Sequence, residues 1–279
     1  MRLRFAGFVL AALCAAPKFL YGPGGASAED DRTPCCRSEN LDNAQRLRNA
    51  ERLYAEFKPM EAAAELRKIL QVDPRDFEAT TKLSRAYLDI GDMIPESSSD
   101  WREKRMKEYR KAEEYARQAI NLNPNSTWGH FYVAASLGSI ALVSSISKQI
   151  DLAGEIRSAL DKAIALDPNN GIAYHVYGIW HRKMAEIGKA SRLVASVVFG
   201  RSPPSGNLGT SIAYLKKAVM LNPHVIASRL ELAKSYIAVE NWSMARSSLI
   251  AIRELPIQFS DDAKHKQRAE QILEEIKDR

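Results

Sequence analysis

Three cysteines and five histidines are all that this 279-residue chain offers in soft or imidazole ligands, and their spacing suits no metal. His130, His175, His181, His224 and His265 are scattered. The nearest two, His175 and His181, lie on different sides of any helix, whereas ligands on one helix need i, i+3 or i, i+4 spacing. Nor is there a glycine-rich phosphate loop or a Gly-x-Ser-x-Gly elbow. The carboxylates Glu103, Glu108, Glu113 and Glu114 alternate with Lys and Arg, as on a solvated helix face. Metal, nucleotide and serine-nucleophile chemistry therefore lack their residues, and the chain reads as non-enzymatic, with no metal and no cofactor. Charge of one sign is also scarce. The formal charge is +6, and Arg2, Arg4 and Lys18 supply half of it in an acid-free start, leaving about +3 for the rest. With no Lys/Arg run interleaved with aromatics, nucleic acid is excluded as a partner.

Long apolar runs are missing too. Phe5–Pro17 falls short of the ~20 residues a span requires. Trp128–Ile146 is uncharged apart from His130, yet it holds several serines and two glycines and reads as a buried repeat helix rather than a span. Ser191–Phe199 reads as core packing, with a membrane-contact ridge as the alternative. The basic start, the short apolar stretch and Ala26-Ser27-Ala28 before Glu29 have the order of a cleaved secretory signal. The division expected is 1–28 signal peptide (or N-terminal anchor), 29–39 disordered leader and 40–279 repeat domain. The matching location is export, periplasmic or secreted; a membrane-anchored, cytoplasmic or organelle-associated protein is the alternative. Leu13 before Cys14 argues against lipidation there. Cys35 and Cys36, being adjacent, are read as free thiols in the leader, with an intermolecular disulfide left open for an exported protein.

What the chain does have is punctuation. Val72-Asp73-Pro74, Leu122-Asn123-Pro124, Leu166-Asp167-Pro168 and Leu221-Asn222-Pro223 each close an Ala-rich amphipathic stretch and precede another. A residue before proline is pushed out of the α region, and the proline fixes φ where the next helix enters. Each phrase thus predicts a helix-turn-helix corner. Ten residues beyond each proline stands a small residue: Ser84, Ala134, Gly178 and Ala233. A bulky residue precedes each one: Leu83, Val133, Tyr177 and Leu232. One turn later come Tyr87, Leu137, His181 and Tyr236, the large–small alternation by which antiparallel helices interlock.

This pattern resembles the tetratricopeptide repeat. The corner prolines lie 50, 44 and 55 residues apart, against ~34 in the standard repeat. The fold class expected is therefore all-α: an α-solenoid of elongated TPR-like helix-turn-helix repeats with inserted helices. The loops Ile94–Ser99 and Phe199–Asn207 mark inserts, and Gln267–Arg279 is expected to cap the array.

Tyr174-His175-Val176-Tyr177-Gly178-Ile179-Trp180, Ala185-Glu186, Phe199-Gly200-Arg201-Ser202-Pro203-Pro204-Ser205 and Ala213–Ala218 follow one another in a narrower pattern. Their order and spacing resemble the regulator of microtubule dynamics family. That resemblance implies a non-catalytic elongated-repeat solenoid. It also implies association with microtubules or organelle membranes, one type of member bridging organelles and binding phospholipid.

Paired-helix arrays bind along their inner curve. The first helix of each pair then directs inward Glu78, Thr81, Arg85 and Leu88; Trp128, Phe131 and Ala135; His175, Ile179 and Arg182; Leu230 and Lys234. Of these, Arg85, Trp128, Phe131, His175, Arg182 and Lys234 form the candidate partner-binding groove, its cations suited to a carboxylate or phosphate. The function expected is a scaffold for a protein or peptide partner, an acidic one being the kind those cations suit. The alternatives are an anionic-lipid-binding or membrane-contact module and, without an export signal, a microtubule-associated protein.

Overall fold

The computed structural model describes residues 34–259 and 261–279, with side chains from Asp42 onward. The leader to residue 28, Cys14, and the side chains of Cys35 and Cys36 lie outside what is described. Twelve helices and no strand are found among the described residues. They are α1 (Pro34–Ala55), α2 (Pro59–Val72), α3 (Phe77–Met93), α4 (Trp101–Leu122), α5 (Thr127–Leu142), α6 (Ile146–Leu166), α7 (Gly171–Glu186), α8 (Lys189–Phe199), α9 (Leu208–Leu221), α10 (Ile226–Ala238), α11 (Trp242–Ile250) and α12 (Asp262–Glu275). The helix α1 begins inside the segment 29–39. The described chain forms two compact units, one ending at Tyr132 and the other running from Val133 to Arg279.

The Asp/Asn-Pro phrases form the corners predicted, by a chemistry that explains the residue types. Asp73 leaves α2 in an extended conformation, φ −123° and ψ 92°. Its carboxylate accepts from the Arg75 amide at 3.0 Å and its carbonyl from the Asp76 amide at 3.1 Å. Asn123 repeats this with Asn125 (3.1 Å) and Ser126 (3.1 Å), and Asp167 with Asn169 (2.9 Å) and Asn170 (3.1 Å). A short side-chain oxygen two residues ahead of its donor is an Asx turn, and proline between them pre-sets φ. The next helix is then capped. Asp76 accepts from the Ala79 amide at 2.8 Å and Asn170 from the Ala173 amide at 3.0 Å.

In the unit ending at Tyr132, α3 pairs with α4 at the small position Ser84. Its hydroxyl donates to the Ala112 carbonyl at 2.7 Å, and both residues are fully buried. One turn on, Tyr87 stacks on Tyr115, ring centroids 5.5 Å apart. The insert lengthens α4 to 22 residues. Arg105 anchors it by donating to the Ile94 carbonyl at 2.7 and 3.0 Å.

In the unit from Val133, α7 crosses α9 at Gly178. A Cβ there would stand 2.5 Å from Leu215 Cγ and 3.1 Å from the Ser211 carbonyl. Ser211 donates to the Gly178 carbonyl at 2.7 Å, which ties the crossing. Trp180 is fully buried and donates its indole N–H to the Ala153 carbonyl on α6 at 3.1 Å. The helices α10 and α11 pack together, and Ala233 on the one and Ala245 on the other are both fully buried. The final helix starts earlier than Gln267: α12 opens at Asp262, whose carboxylate accepts from the Gln258 and Phe259 amides at 2.8 Å each. Of the apolar residues Ala269, Ile272, Leu273 and Ile276 along this segment, Leu273 is half-buried and the other three are buried.

Trp128–Ile146 contributes α5 and the turn after it; among the described residues no helix is long and apolar enough to cross a membrane. Ser191–Phe199 departs from expectation. Instead of packing into a core, α8 buries only Ala195. Apolar periodicity is the same whether the stripe faces a core or solvent, and α7 and α9 already close on each other at Gly178, leaving α8 outside their contact.

Candidate functional site

The six groove residues fall into two sets, one in each unit. In the unit ending at Tyr132 the set is Arg85, Trp128 and Phe131. The Arg85 guanidinium lies 4.5 Å from the centre of the Tyr54 ring on α1, and its Nε is 3.8 Å from Asp89. Tyr54 is held in place because its hydroxyl donates to the Lys82 carbonyl at 2.7 Å. Lys82 in turn reaches Glu51 at 2.9 Å and Glu78 at 3.4 Å. Tyr132 completes the cluster. Burial pushes its hydroxyl up to about 12, the Arg85 charge pulling it down and Asp89 adding to the rise. Burial likewise raises Tyr54 well above the ordinary tyrosine value. Burial would lower the Arg85 guanidinium, but Tyr132, Asp89, Tyr54 and Glu51 outweigh it and raise the group. Both phenols therefore stay neutral near neutrality, and Arg85 stays charged.

The rings beside it form a mutually braced set. Trp128 meets Phe131 edge-on at 5.8 Å, and Phe131 meets Tyr132 at 5.0 Å. Phe131 is buried, whereas Arg85 and Trp128 are each part-exposed. This face thus presents a cation and an indole on a rigid aromatic base, a combination suited to charge-assisted hydrogen bonds and apolar contact with a partner segment.

In the unit from Val133, the set is His175, Arg182 and Lys234, and here the cations are more deeply engaged than Arg85 is with Asp89. Glu231 on α10 is buried and lies between Arg182 and Lys234, pairing with the former and accepting from the latter at 2.6 Å. Arg182 also donates to Glu186 at 2.8 Å. Burial would raise the Glu231 carboxyl, but Lys234, Arg182 and a smaller contribution from His175 drive it down to about 2. His175 is fully buried, its Nδ1 3.0 Å from the Ser228 hydroxyl. The chemistry that suits a partner's carboxylate is thus satisfied by the chain's own carboxylate. The Arg182 Nε and His265 Nδ1 atoms, both buried, make no hydrogen bond.

Three elements of this arrangement escape a reading by repeat position. Tyr54 and Tyr132 gain their role only from Arg85 lying near both. Glu231 stands three residues before Lys234, so that pair is legible, but its bond to Arg182 crosses 49 positions. The loop before α9 is pressed onto α7: a Cβ on Gly206 would lie 2.1 Å from the His181 carbonyl. Among the described residues no group of three His, Cys, Asp or Glu is arranged to hold a metal.

Comparison with known proteins bears on fold and family. A tetratricopeptide-repeat protein of Thermus thermophilus superposes with a TM-score of 0.59 at 17% identity, covering 83% of this chain and 98% of that one. This likeness supports the all-α, TPR-like repeat fold. Regulator of microtubule dynamics protein 1 of Bos taurus is 27% identical over 208 residues, 74% of this chain and 64% of that protein. Its Homo sapiens counterpart is 28% identical over 193 residues, 69% of this chain and 60% of that protein. The chain therefore spans less than two thirds of the length of these relatives.

The relatives overturn the expectation of export, because they are eukaryotic regulators of microtubule dynamics and not exported proteins. A basic start followed by a short apolar stretch is shared by leaders and anchors of several destinations, so that composition does not specify a compartment. The family of regulator of microtubule dynamics protein 1-3 matches residues 46–277, a span that takes in every helix from α2 to α12, and the chain belongs to that family.

Proposed function

We propose that this chain is a non-enzymatic helical-repeat scaffold that holds a protein segment against the face formed by Tyr54, Arg85, Trp128, Phe131 and Tyr132. The TPR-like repeat fold and the family membership support a protein-interaction scaffold. The observation that carries the finer reading is the state of Arg85: charged, stacked over the Tyr54 ring, paired with Asp89 and still part-exposed. An ordered guanidinium loses less entropy on binding than a free one and favours a partner carboxylate.

The names of the relatives point to the microtubule as the first partner to test. The experiment is co-sedimentation of the full chain with polymerised tubulin, comparing wild type with Arg85→Lys and Trp128→Ala. Lysine keeps the charge but loses the planar fork, and far-UV circular dichroism checks that each variant is folded. Each variant should weaken binding roughly tenfold, the scale of one charge-assisted or aromatic anchor. Equal binding by wild type and both variants would remove this face from the function.

A further inference from the structure

We infer that the outward face of α11 is a binding site for a phosphorylated side chain of a partner peptide. This goes beyond the scaffold reading and does not rest on it. The inward face of α11 holds Ala245, Ser248 and Leu249, all buried. Those residues fix the helix, and Asn241 caps it by accepting from the Met244 amide at 3.2 Å. Ser243, Arg246, Ser247, Ile250 and Ala251 recur at i, i+3, i+4, i+7 and i+8, one stripe on the opposite face. Together they line an open cleft of about 600 Å³.

Three polar groups of this cleft are open to a ligand. Ser248 donates its hydroxyl to the Met244 carbonyl at 2.8 Å, whereas the Ser243 and Ser247 hydroxyls make no hydrogen bond among the described residues. Arg246 donates from one Nη to the Arg279 carbonyl, and no Asp or Glu among the described residues pairs with it. A guanidinium carries five N–H donors, so one edge of its fork stays open. Arg279 itself places its guanidinium 5.9 Å from the centre of the Trp242 ring, beside the start of the stripe. From Asn241 to Arg253 the chain carries two arginines and no Asp or Glu.

The donor set selects the occupant. A carboxylate has two oxygens, which one guanidinium edge satisfies, and both serine hydroxyls would then be left over. A phosphomonoester has three terminal oxygens, enough for the Arg246 fork and for the hydroxyls on either side of it. The cleft is larger than one phosphate group fills, and the rest of its lining is Ile250, 50% exposed, and Ala251. That apolar end suits an aliphatic residue next to the phosphorylated one. A nucleotide would need a ring on which its base could stack, and the lining holds none. The ligand is therefore a phosphopeptide.

The test is fluorescence anisotropy of a short labelled peptide with one phosphoserine beside leucine, titrated with the full chain at low and raised salt. The unphosphorylated peptide is the control, and R246K and S243A/S247A are compared with wild type. Both serines are exposed and bond to nothing inside the chain, so their double variant keeps the fold; circular dichroism checks each variant. Wild type should bind the phosphopeptide roughly tenfold or more tightly than the control, and less so at high salt. R246K and S243A/S247A should each lose roughly tenfold of that binding. Arg85→Lys and Trp128→Ala should leave it unchanged, which separates this inference from the scaffold reading. Equal binding of the two peptides would overturn it, as would unchanged affinity in R246K or in S243A/S247A. So would displacement of the peptide by inorganic phosphate at equal concentration. Binding to phosphatidylcholine vesicles containing phosphatidic acid, with none to the phosphopeptide, would overturn it as well.

Discussion

Replacing Glu231 by Gln tests whether the buried charges of the second unit are held by one carboxylate. The carboxyl is buried and depressed from its ordinary 4.5 to about 2, because the pull of Lys234 and Arg182 exceeds the cost of burial. A depression of that size corresponds to about 3 kcal/mol of folding stability at neutral pH. Loss of the anion leaves Arg182 with Glu186 alone and Lys234 without its carboxylate, and breaking a buried pair in this way costs ~3–5 kcal/mol. The two routes agree on a loss of about 3 kcal/mol, which a urea titration followed by far-UV circular dichroism resolves. The sign with pH follows from the direction of the shift. Since the folded group titrates below the unfolded one, its contribution is present above the unfolded pKa and is lost as pH falls towards 2. The gap between wild type and E231Q should therefore be full at neutrality and close progressively below about pH 4.5. Replacing both partners, as R182M/E231L, should recover much of the loss, since no buried charge of the pair is then stranded. A loss under ~1 kcal/mol at neutral pH, or a gap that does not close in acid, would refute the reasoning.

Two further outcomes follow from packing. Gly178→Ala places a Cβ 2.5 Å from Leu215 Cγ and should destabilise by ~1–3 kcal/mol despite alanine's better helix propensity, whereas Gly154→Ala, with nothing within 4 Å, should stabilise by ~0.5–1 kcal/mol. Opposite signs in paired thermal melts confirm the close crossing; equal signs would deny it. Trp180→Ala removes a fully buried indole and its bond to Ala153 and should cost ~3–5 kcal/mol, read as a lowered urea midpoint.

The repeat was legible because its signals are local. An Asx turn needs one short side-chain oxygen beside one proline, and a close crossing needs one small residue at a fixed offset from it. Ser84, Ala134, Gly178 and Ala233 could be named from spacing alone, and all four lie in helix interiors; the three with a side chain are fully buried. The groove was only partly legible. Offset from the corner marks which residues face inward, but not what each then meets. Arg85 and Arg182 look alike in their repeats. One is braced on Tyr54 and stays part-exposed, while the other is buried against Glu231.

By itself the sequence determined helical content, the corners, the small residues at the crossings and the family, since each depends on neighbours within a turn or on a motif read in order. Tertiary structure alone decided how the charges are used and which apolar stripe is covered. Glu231 reaches Arg182 across 49 positions, and the α8 stripe has the same periodicity as any core helix. Whether a cation meets an internal carboxylate or solvent, and whether a stripe meets a core or water, depends on what packs against it. That is a property of contacts distant in the chain, which no local pattern encodes.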